Sequence, residues 1–312
     1  MELVPLRPNS FAMNKARTRG FQALNVVLYI VMVIVNVVAA TGHLYNTTPE
    51  EVTYKYPHLF VPVGWAFSIW SVIYLLLGMF VVYQSSAIRR MAPAVLNPEL
   101  PRSESGATAA QDRAALTRPV RWVNKLDIMF ALTCVLNIAW LNAWHQTNYT
   151  LAAGIIMGLL LSLVVIYVRI HSMPYEMRVG DKWFVTIPFS VYLGWISVAT
   201  ISGIASMLQS LRWDGMGLTQ EFWGGFAAIL ATTLALFFRF RLGNWAYAGA
   251  VAWGLAGVAA QQWNDRDGQG VTASAIIALV CAVLILVSLF LKARMNVIEL
   301  PPNTQGRAPE TA

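Results

Sequence analysis

Charged residues are scarce in this chain. Only 12% of its 312 residues are Asp, Glu, Lys or Arg, about half of the roughly 25% usual in soluble domains. Hydrophobic residues reach 57%, and the mean hydropathy is +0.55. This composition excludes an ordinary soluble globular domain. It predicts an all-α fold, a polytopic membrane helical bundle.

Residues that build metal or catalytic sites are also few. The two cysteines, Cys134 and Cys281, each fall inside an apolar stretch, where cysteine behaves as a small apolar side chain. The four histidines lack the short spacing of a metal motif. The sequence holds no phosphate-binding glycine loop, no Gly-x-Ser-x-Gly, no His-Glu-x-x-His and no pair of carboxylates within an apolar stretch. We therefore expect neither a metal site nor an enzyme.

Long apolar runs are abundant. A window of about 20 residues, the length that crosses a bilayer as a helix, predicts eight transmembrane helices. Their expected bounds are 21–42, 61–83, 126–145, 149–169, 183–208, 222–240, 245–262 and 271–291.

The basic residues support this count independently. If the N-terminus is cytoplasmic, the inner segments hold 19 of the 22 lysines and arginines, and the outer loops keep only Lys55, Arg212 and Arg266. Positive residues concentrate on the cytoplasmic side of membrane proteins, so the N- and C-termini are both expected to be cytoplasmic. The net charge of +7 then faces anionic lipid rather than nucleic acid. We expect a multi-pass protein of the plasma membrane.

Four segments lie outside the predicted helices. Residues 1–20 are expected to form a basic cytoplasmic tail, 84–124 a flexible inner loop and 292–312 a disordered tail. Residues 43–60 form the longest outer loop. Long loops over a site are often functional, so this segment, the lid loop, is expected to cover a binding site.

One stretch without any charge is dense in aromatic rings. FVPVGWAFSIWSVIY, residues 60–74, opens the second predicted helix. Phe67, Trp70 and Tyr74 are spaced i, i+3, i+7, which places three rings on one helical face. Rings at a membrane boundary usually form an interfacial belt. Because these rings continue for two turns into the bilayer, a belt explains them less well, and we favour the interpretation that they line an aromatic slot between helices.

The stretch resembles the tryptophan-rich sensory protein / translocator protein family, in the PxGxxFSIWxxIY form of a longer branch. LNIAWLNAWHQ at 136–146 is similar to the third helix of that family, and PFSVYLGWISVATIS at 188–202 to the fifth. The resemblance implies a five-helix core at 21–208 and three additional transmembrane helices at 209–291. The pattern departs from the family where Ser202 and Gly203 stand in place of an Asn.

Three helices offer side chains for a common pocket. Asn137 and Trp140 share a face of the third predicted helix, and Trp195 and Ala199 share a face of the fifth. An amide within a membrane helix usually faces the bundle interior. The expected ligand-binding residues are Trp65, Phe67, Trp70, Tyr74, Asn137, Trp140, Trp195 and Ala199. Helix packing alone is the alternative for the same residues.

The resemblance implies a hydrophobic ligand: a tetrapyrrole such as porphyrin or haem, a sterol, or an isoprenoid-like molecule. The expected function is that of a sensor or carrier, with membrane lipid and a homo-oligomer as further candidate partners. One alternative is a proton- or ion-coupled small-molecule transporter, which would need charge deep in the bundle. Only Asp127 lies near a predicted span. A second alternative is an intramembrane porphyrin-modifying enzyme, but the sequence shows no acid–base pair to support it.

Overall fold

The computed structural model describes residues 8–56, 58–96, 126, 128–172, 179–264 and 272–291. Within these ranges every regular element is a helix. Seven of the helices there are long and apolar enough to cross a membrane, which makes the chain a multi-pass membrane protein. They are Gly20–Ala40, Gly64–Ser85, Ile128–His145, Tyr149–His171, Val179–Ser210, Gln220–Arg241 and Ala273–Phe290.

Ten helices are described along the chain. In chain order they are α1 (Pro8–Ala40), α2 (Pro49–Thr53), α3 (Ile69–Leu96), α4 (Ile128–His145), α5 (Tyr149–His171), α6 (Val179–Asp181), α7 (Ile187–Ser210), α8 (Gln220–Arg241), α9 (Trp245–Asn264) and α10 (Ala273–Phe290). A 3₁₀ turn, Gly64–Ser68, leads into α3, and a π turn, Lys182–Thr186, joins α6 to α7.

Two helices extend beyond the spans predicted for them, while the apolar parts, Gly20–Ala40 and Gly64–Ser85, match those spans closely. Helix α1 begins at Pro8, so the expected basic tail at 1–20 is helical over much of its length. Helix α3 continues to Leu96, 13 residues past its expected end, so the inner loop cannot begin at residue 84. A hydropathy window finds the apolar part of a helix and misses its polar extension into the headgroup region. The remaining loop residues, Asp127 and the tail at 292–312 lie outside the described residues.

Side chains cap the starts of α2, α5, α8 and α10. Thr48 and Glu51 form a capping box at α2, in which the Thr48 hydroxyl accepts from the Glu51 amide and the Glu51 carboxylate accepts from the Thr48 amide. Asn148, Thr219 and Thr272 accept amide protons at the starts of α5, α8 and α10. Each cap satisfies an amide that has no partner within its helix.

All four capped starts lie at one end of the bundle, together with the lid loop. The Tyr149 hydroxyl donates to Val52 O at 3.0 Å, and the Gln262 amide donates to Leu59 O. Gln262 Oε1 in turn accepts from the hydroxyls of Thr272 and Ser274. This face of the bundle is called the lid end below. Successive long helices alternate in direction, as the predicted topology requires.

Helix α9 packs against α7, α8 and α10, and small residues allow the backbones to approach closely. A Cβ on Gly194 of α7 would lie 2.6 Å from Tyr247 O, and a Cβ on Gly257 would lie 2.6 Å from the Ala66 Cβ. The Tyr247 hydroxyl and the Ser197 hydroxyl are 3.0 Å apart, and the Asn244 amide donates to the Ser190 hydroxyl at 2.8 Å. Close contact and shared hydrogen bonds hold membrane helices together in this way.

The predicted span at 245–262 corresponds to α9, which is not one of the seven candidates. Its 20 residues are rich in Ala and Gly and end in Gln261, Gln262, Trp263 and Asn264, so its hydropathy is lower than that of its neighbours. Within the described part of the chain, a crossing count of eight remains a prediction.

Candidate functional site

An aromatic stack runs between α3 and α4 towards the lid end. Trp70 lies at its centre, stacked on Tyr74 at 5.6 Å between ring centroids and on Trp140 at 6.0 Å. Trp140 in turn stacks on Trp144 at 5.9 Å. The rings in these pairs are inclined by 18°, 30° and 26°. Four aromatic side chains therefore present a nearly continuous wall, at offsets that aromatic pairs prefer.

Trp195 closes the opposite side of this wall from α7. Its ring lies edge-on to Trp70 at 6.2 Å and to Phe67 at 6.0 Å. Only 2% of its surface is exposed. The rings enclose a cavity of about 30 Å³, called the aromatic pocket below. It is lined by Thr53, Pro62, Phe67, Trp70, Trp140, Trp144, Trp195, Ala199, Ser202 and Gly203.

The structure brings most of the predicted site residues together. Phe67, Trp70, Trp140, Trp195 and Ala199 line the aromatic pocket. Tyr74 lies one step further along the stack, behind Trp70. Asn137 and Trp65 are placed differently from the prediction.

Asn137 is fully buried, and its side chain forms hydrogen bonds with residues of two neighbouring helices. Its Oδ1 accepts from the Asn36 amide of α1 at 2.7 Å, and its own amide donates to the Tyr192 hydroxyl of α7 at 3.3 Å. Tyr192 lies edge-on to Trp70, with centroids 6.0 Å apart. Asn137 thus ties α1, α4 and α7 together below the pocket and is not among the groups that line it.

Trp65 points away from the pocket. It is 47% exposed and lies edge-on to Trp253 of α9 at 4.9 Å. The Trp253 indole donates to Ala66 O at 2.9 Å. Trp65 and Phe67 lie two residues apart in the 3₁₀ turn that precedes α3, and side chains at this separation do not share a helical face. The Trp65–Trp253 pair packs α9 onto the start of α3 and belongs to the outer surface of the bundle.

Two polar atoms in the pocket region are buried without a hydrogen-bond partner: the Trp195 indole N–H and the Tyr74 hydroxyl. Tyr74 Oη lies behind the stack, while Trp195 belongs to the pocket wall itself. Buried indole and phenol groups usually have a partner, and leaving one without a partner costs about 1–3 kcal/mol. The Trp195 N–H is thus available to an acceptor on a ligand.

Helix α2 covers the pocket from the lid end. The Trp144 indole donates to Pro49 O at 3.3 Å, the Tyr149 hydroxyl to Val52 O at 3.0 Å, and the Tyr54 hydroxyl to Gln261 Oε1 at 3.0 Å. Thr53, the last residue of α2, is part of the pocket lining. The expected placement of the lid loop over the aromatic site agrees with these contacts.

Several lining residues were not among those predicted. Trp144 and Ser202 share helical faces with Trp140 and Trp195, so the spacing contained the signal for both. Thr53 comes from the lid loop and Pro62 from the irregular segment between that loop and α3, and no periodic pattern reveals the path of either over the bundle.

His58 anchors the end of the lid loop to α7. Its Nδ1 accepts from the Phe60 amide at 3.2 Å, so Nε2 carries the proton and donates to the Ser206 hydroxyl at 3.0 Å. Burial lowers the pKa of His58 to about 4, because the imidazolium would lose its hydration. Both ring nitrogens have protein partners, so the side chain holds the loop in place as a neutral group.

A model of the TSPO-like protein family matches residues 22–291. The chain belongs to that family. The match runs from α1 to α10, so it includes the three helices after the five-helix core as well as every helix that lines the aromatic pocket. No curated protein and no solved structure matches the chain.

Proposed function

We propose that this TSPO-like protein binds a large, flat or rigid hydrophobic ligand in the aromatic pocket, as a sensor or carrier rather than as an enzyme. A tetrapyrrole is the favoured class, and a sterol or isoprenoid-like molecule is the alternative. The observation that carries the proposal is the stack of Trp144, Trp140, Trp70 and Tyr74 facing Trp195 across the pocket.

The chemistry of the pocket suits such a ligand. Stacked indoles offer flat apolar surfaces, and the unpartnered Trp195 N–H offers one donor to a carbonyl or carboxylate. Ligand sites of this kind are mostly apolar, with a small number of placed polar groups. Ala199 supplies space beside the rings, since any larger side chain there would project into the pocket.

Binding requires the pocket to open. Its present volume of about 30 Å³ is close to the share of one water molecule, whereas small-molecule sites measure about 300–1,000 Å³. Among the side-chain hydrogen bonds that hold the lid loop, the three at α2 and its end, from Trp144, Tyr149 and Tyr54, are the contacts to break. Each of these bonds contributes about 0.5–1.5 kcal/mol net, so the binding energy of a large apolar ligand suffices to break all three.

Protoporphyrin titration of the full-length protein in mild detergent tests the proposal. Ala199→Phe fills the pocket without removing a ring and should abolish saturable quenching of tryptophan fluorescence. Ala205→Phe is the matched control, because it makes the same change on the same helix outside the pocket lining. Saturable quenching that is equal in wild type and Ala199→Phe would refute binding at this site.

The same proposal includes a topology. We propose that α9 crosses the membrane as an eighth span, with both termini cytoplasmic and the lid end outside, in the plasma membrane. Two observations support this topology. The predicted inner segments hold 19 of the 22 basic residues and the outer loops hold 3, and successive long helices alternate in direction. The pocket would then open towards the extracytoplasmic side.

A further inference from the structure

Helix α7 separates two cavities. One face of the helix, with Ala199, Ser202 and Gly203, belongs to the aromatic pocket. The nearly opposite face, with Ile201, Ile204, Ala205 and Leu208, lines a second cavity of about 380 Å³. The spacing i, i+3, i+4, i+7 of this second set marks a single helical face. We call this space the α7–α8 cavity.

The walls of the α7–α8 cavity come from three other segments. His58, Leu59 and Phe60 end the lid loop on one side, α8 lies opposite, and residues 213–218 connect α7 to α8 at the lid end. Trp213 and Trp223 close this end, with ring centroids 5.0 Å apart. The Trp223 indole donates to Gly215 O at 3.0 Å and thereby fixes the connection over the cavity. The space is therefore closed at the lid end by an ordered connection.

The cavity is elongated along the membrane normal. Its lining follows α8 from Gln220 to Leu230, which corresponds to about 15 Å at 1.5 Å per residue, or roughly half of the hydrocarbon thickness. Phe226 and Leu230 are 49% and 41% exposed and also form part of the lining. One wall therefore faces the bilayer, which gives an apolar molecule lateral access.

Polarity changes along this length. Gln209, Asp214 and Gln220 lie at the lid end, whereas the deeper lining is aliphatic and aromatic. A molecule that satisfies both parts has a polar head at the membrane surface and an apolar tail alongside α8. A volume of about 380 Å³ falls within the range of small-molecule sites and is too small for a two-chain phospholipid.

The charges of the residues that line the α7–α8 cavity restrict the polar head that a ligand can carry. Among the described residues that form it, Asp214 carries the only formal charge, and neither Lys nor Arg contributes. One Asp214 oxygen accepts from the Met216 amide at 3.0 Å. An anionic head would meet a carboxylate without a compensating cation, which opposes binding. The two glutamine amides can donate to and accept from a neutral head.

We propose that the α7–α8 cavity is a second ligand site, which binds a single-chain amphipath with a neutral or cationic head. It is independent of the aromatic pocket, whose proposed ligand is broad and flat. The site exists only because α8 packs beside the five-helix core, so it assigns a binding role to the region after residue 209.

Photolabelling of the full-length protein in mild detergent tests this site. The probes are a long-chain alcohol and the carboxylate of equal chain length, each with a diazirine in the tail. The alcohol should label peptides containing Ile201–Leu208 and Phe226–Leu230, and the carboxylate should label them several-fold less. Ala205→Phe should reduce labelling by about tenfold, equivalent to 1.4 kcal/mol. Ala199→Phe is the matched control and should leave labelling unchanged.

Gln220→Lys provides a test that does not depend on a core substitution. Gln220 is an exposed residue at the start of α8, so a lysine there adds a cation at the rim and should raise labelling by the carboxylate several-fold. Equal labelling by alcohol and carboxylate in the wild-type protein would show nonselective filling by detergent or lipid and would overturn the proposal. Labelling by the alcohol that is unchanged in Ala205→Phe would also overturn the proposal. So would labelling by the carboxylate that is unchanged in Gln220→Lys.

The two proposals can fail separately. Protoporphyrin quenching reports on the aromatic pocket, and amphipath labelling reports on the α7–α8 cavity. Loss of the first signal in Ala199→Phe and of the second in Ala205→Phe would establish two sites. Loss of both signals in either single variant would show one connected site and would contradict the independence proposed here.

Discussion

The Glu50 carboxylate lies directly over the Cα of Gly64, in the space where any other residue would place its Cβ. Glu50 belongs to α2, and Gly64 begins the 3₁₀ turn that leads into α3. An acidic group is stabilising near the start of a helix because the first amides carry partial positive charge. The lid loop is thus held against the mouth of α3 by a contact that only glycine permits.

Gly64→Ala should loosen the lid loop, because the new methyl group displaces the Glu50 carboxylate. The charge–helix contact contributes about 0.3–1 kcal/mol, so protoporphyrin should dissociate about two- to fivefold faster. Stopped-flow recovery of tryptophan fluorescence measures the rate. Gly154→Ala is the matched control, since a Cβ there has no other atom within 4 Å.

Glu50→Ala removes the same contact from the other side and should accelerate dissociation to a similar degree. An unchanged rate in both Gly64→Ala and Glu50→Ala would mean that this contact does not hold the lid loop closed.

Acid should destabilise the fold through His58. Its pKa is about 4 in the folded protein against an ordinary value of 6.5. Above pH 6.5 the ring is neutral in both states and stability does not change. As the pH falls from 6.5 towards 4, the unfolded chain takes up a proton that the folded chain does not, at a cost of about 2 kcal/mol by pH 5.

The difference in the pH dependence of thermal unfolding between wild type and His58→Gln measures this effect. The variant should lose part of the acid sensitivity, and His43→Gln, which changes an exposed histidine, should keep all of it. Identical pH profiles for wild type and His58→Gln would contradict a neutral, buried His58.

Reporter fusions should distinguish the two sides of the membrane. A fusion after residue 110 and one after residue 307 should both report the cytoplasm, and a fusion within 47–56 should report the outside, because basic residues concentrate on the inner segments. A fusion in the 265–271 connection examines α9 separately and should report the outside. An external signal at residue 110 would reverse the orientation proposed here.

The aromatic face of α3 could be predicted from sequence because membrane helices have a fixed period. Phe67, Trp70 and Tyr74 point in related directions wherever the neighbouring helices lie. The partners of Trp70 on α4 and α7, Trp140 and Trp195, followed from the same spacing together with the resemblance to a family. The residue spacing was thus sufficient to predict which of these rings face the bundle interior.

The failures have local physical causes. Trp65 lies two residues before Phe67 in the turn that leads into α3, and side chains two residues apart do not share a helical face, so Trp65 could not face the pocket together with Phe67. Asn137 faces inward as expected, but its partners Asn36 and Tyr192 are 101 and 55 residues away, and no local pattern encodes such pairs. The α7–α8 cavity depends on how α8 packs, which sequence periodicity does not specify.

We propose that the inward-facing rings form a ligand site rather than only packing the bundle. Quenching of tryptophan fluorescence by protoporphyrin, titrated in Trp140→Leu, Trp195→Leu and Trp183→Leu, tests it most directly. Trp183 is 55% exposed and distant from the pocket, so its variant is the control for uptake into detergent. We expect protoporphyrin binding to be weakened by about 1–3 kcal/mol in the first two variants and to be unchanged in the third. Superimposable titration curves for all three variants and the wild type would contradict it.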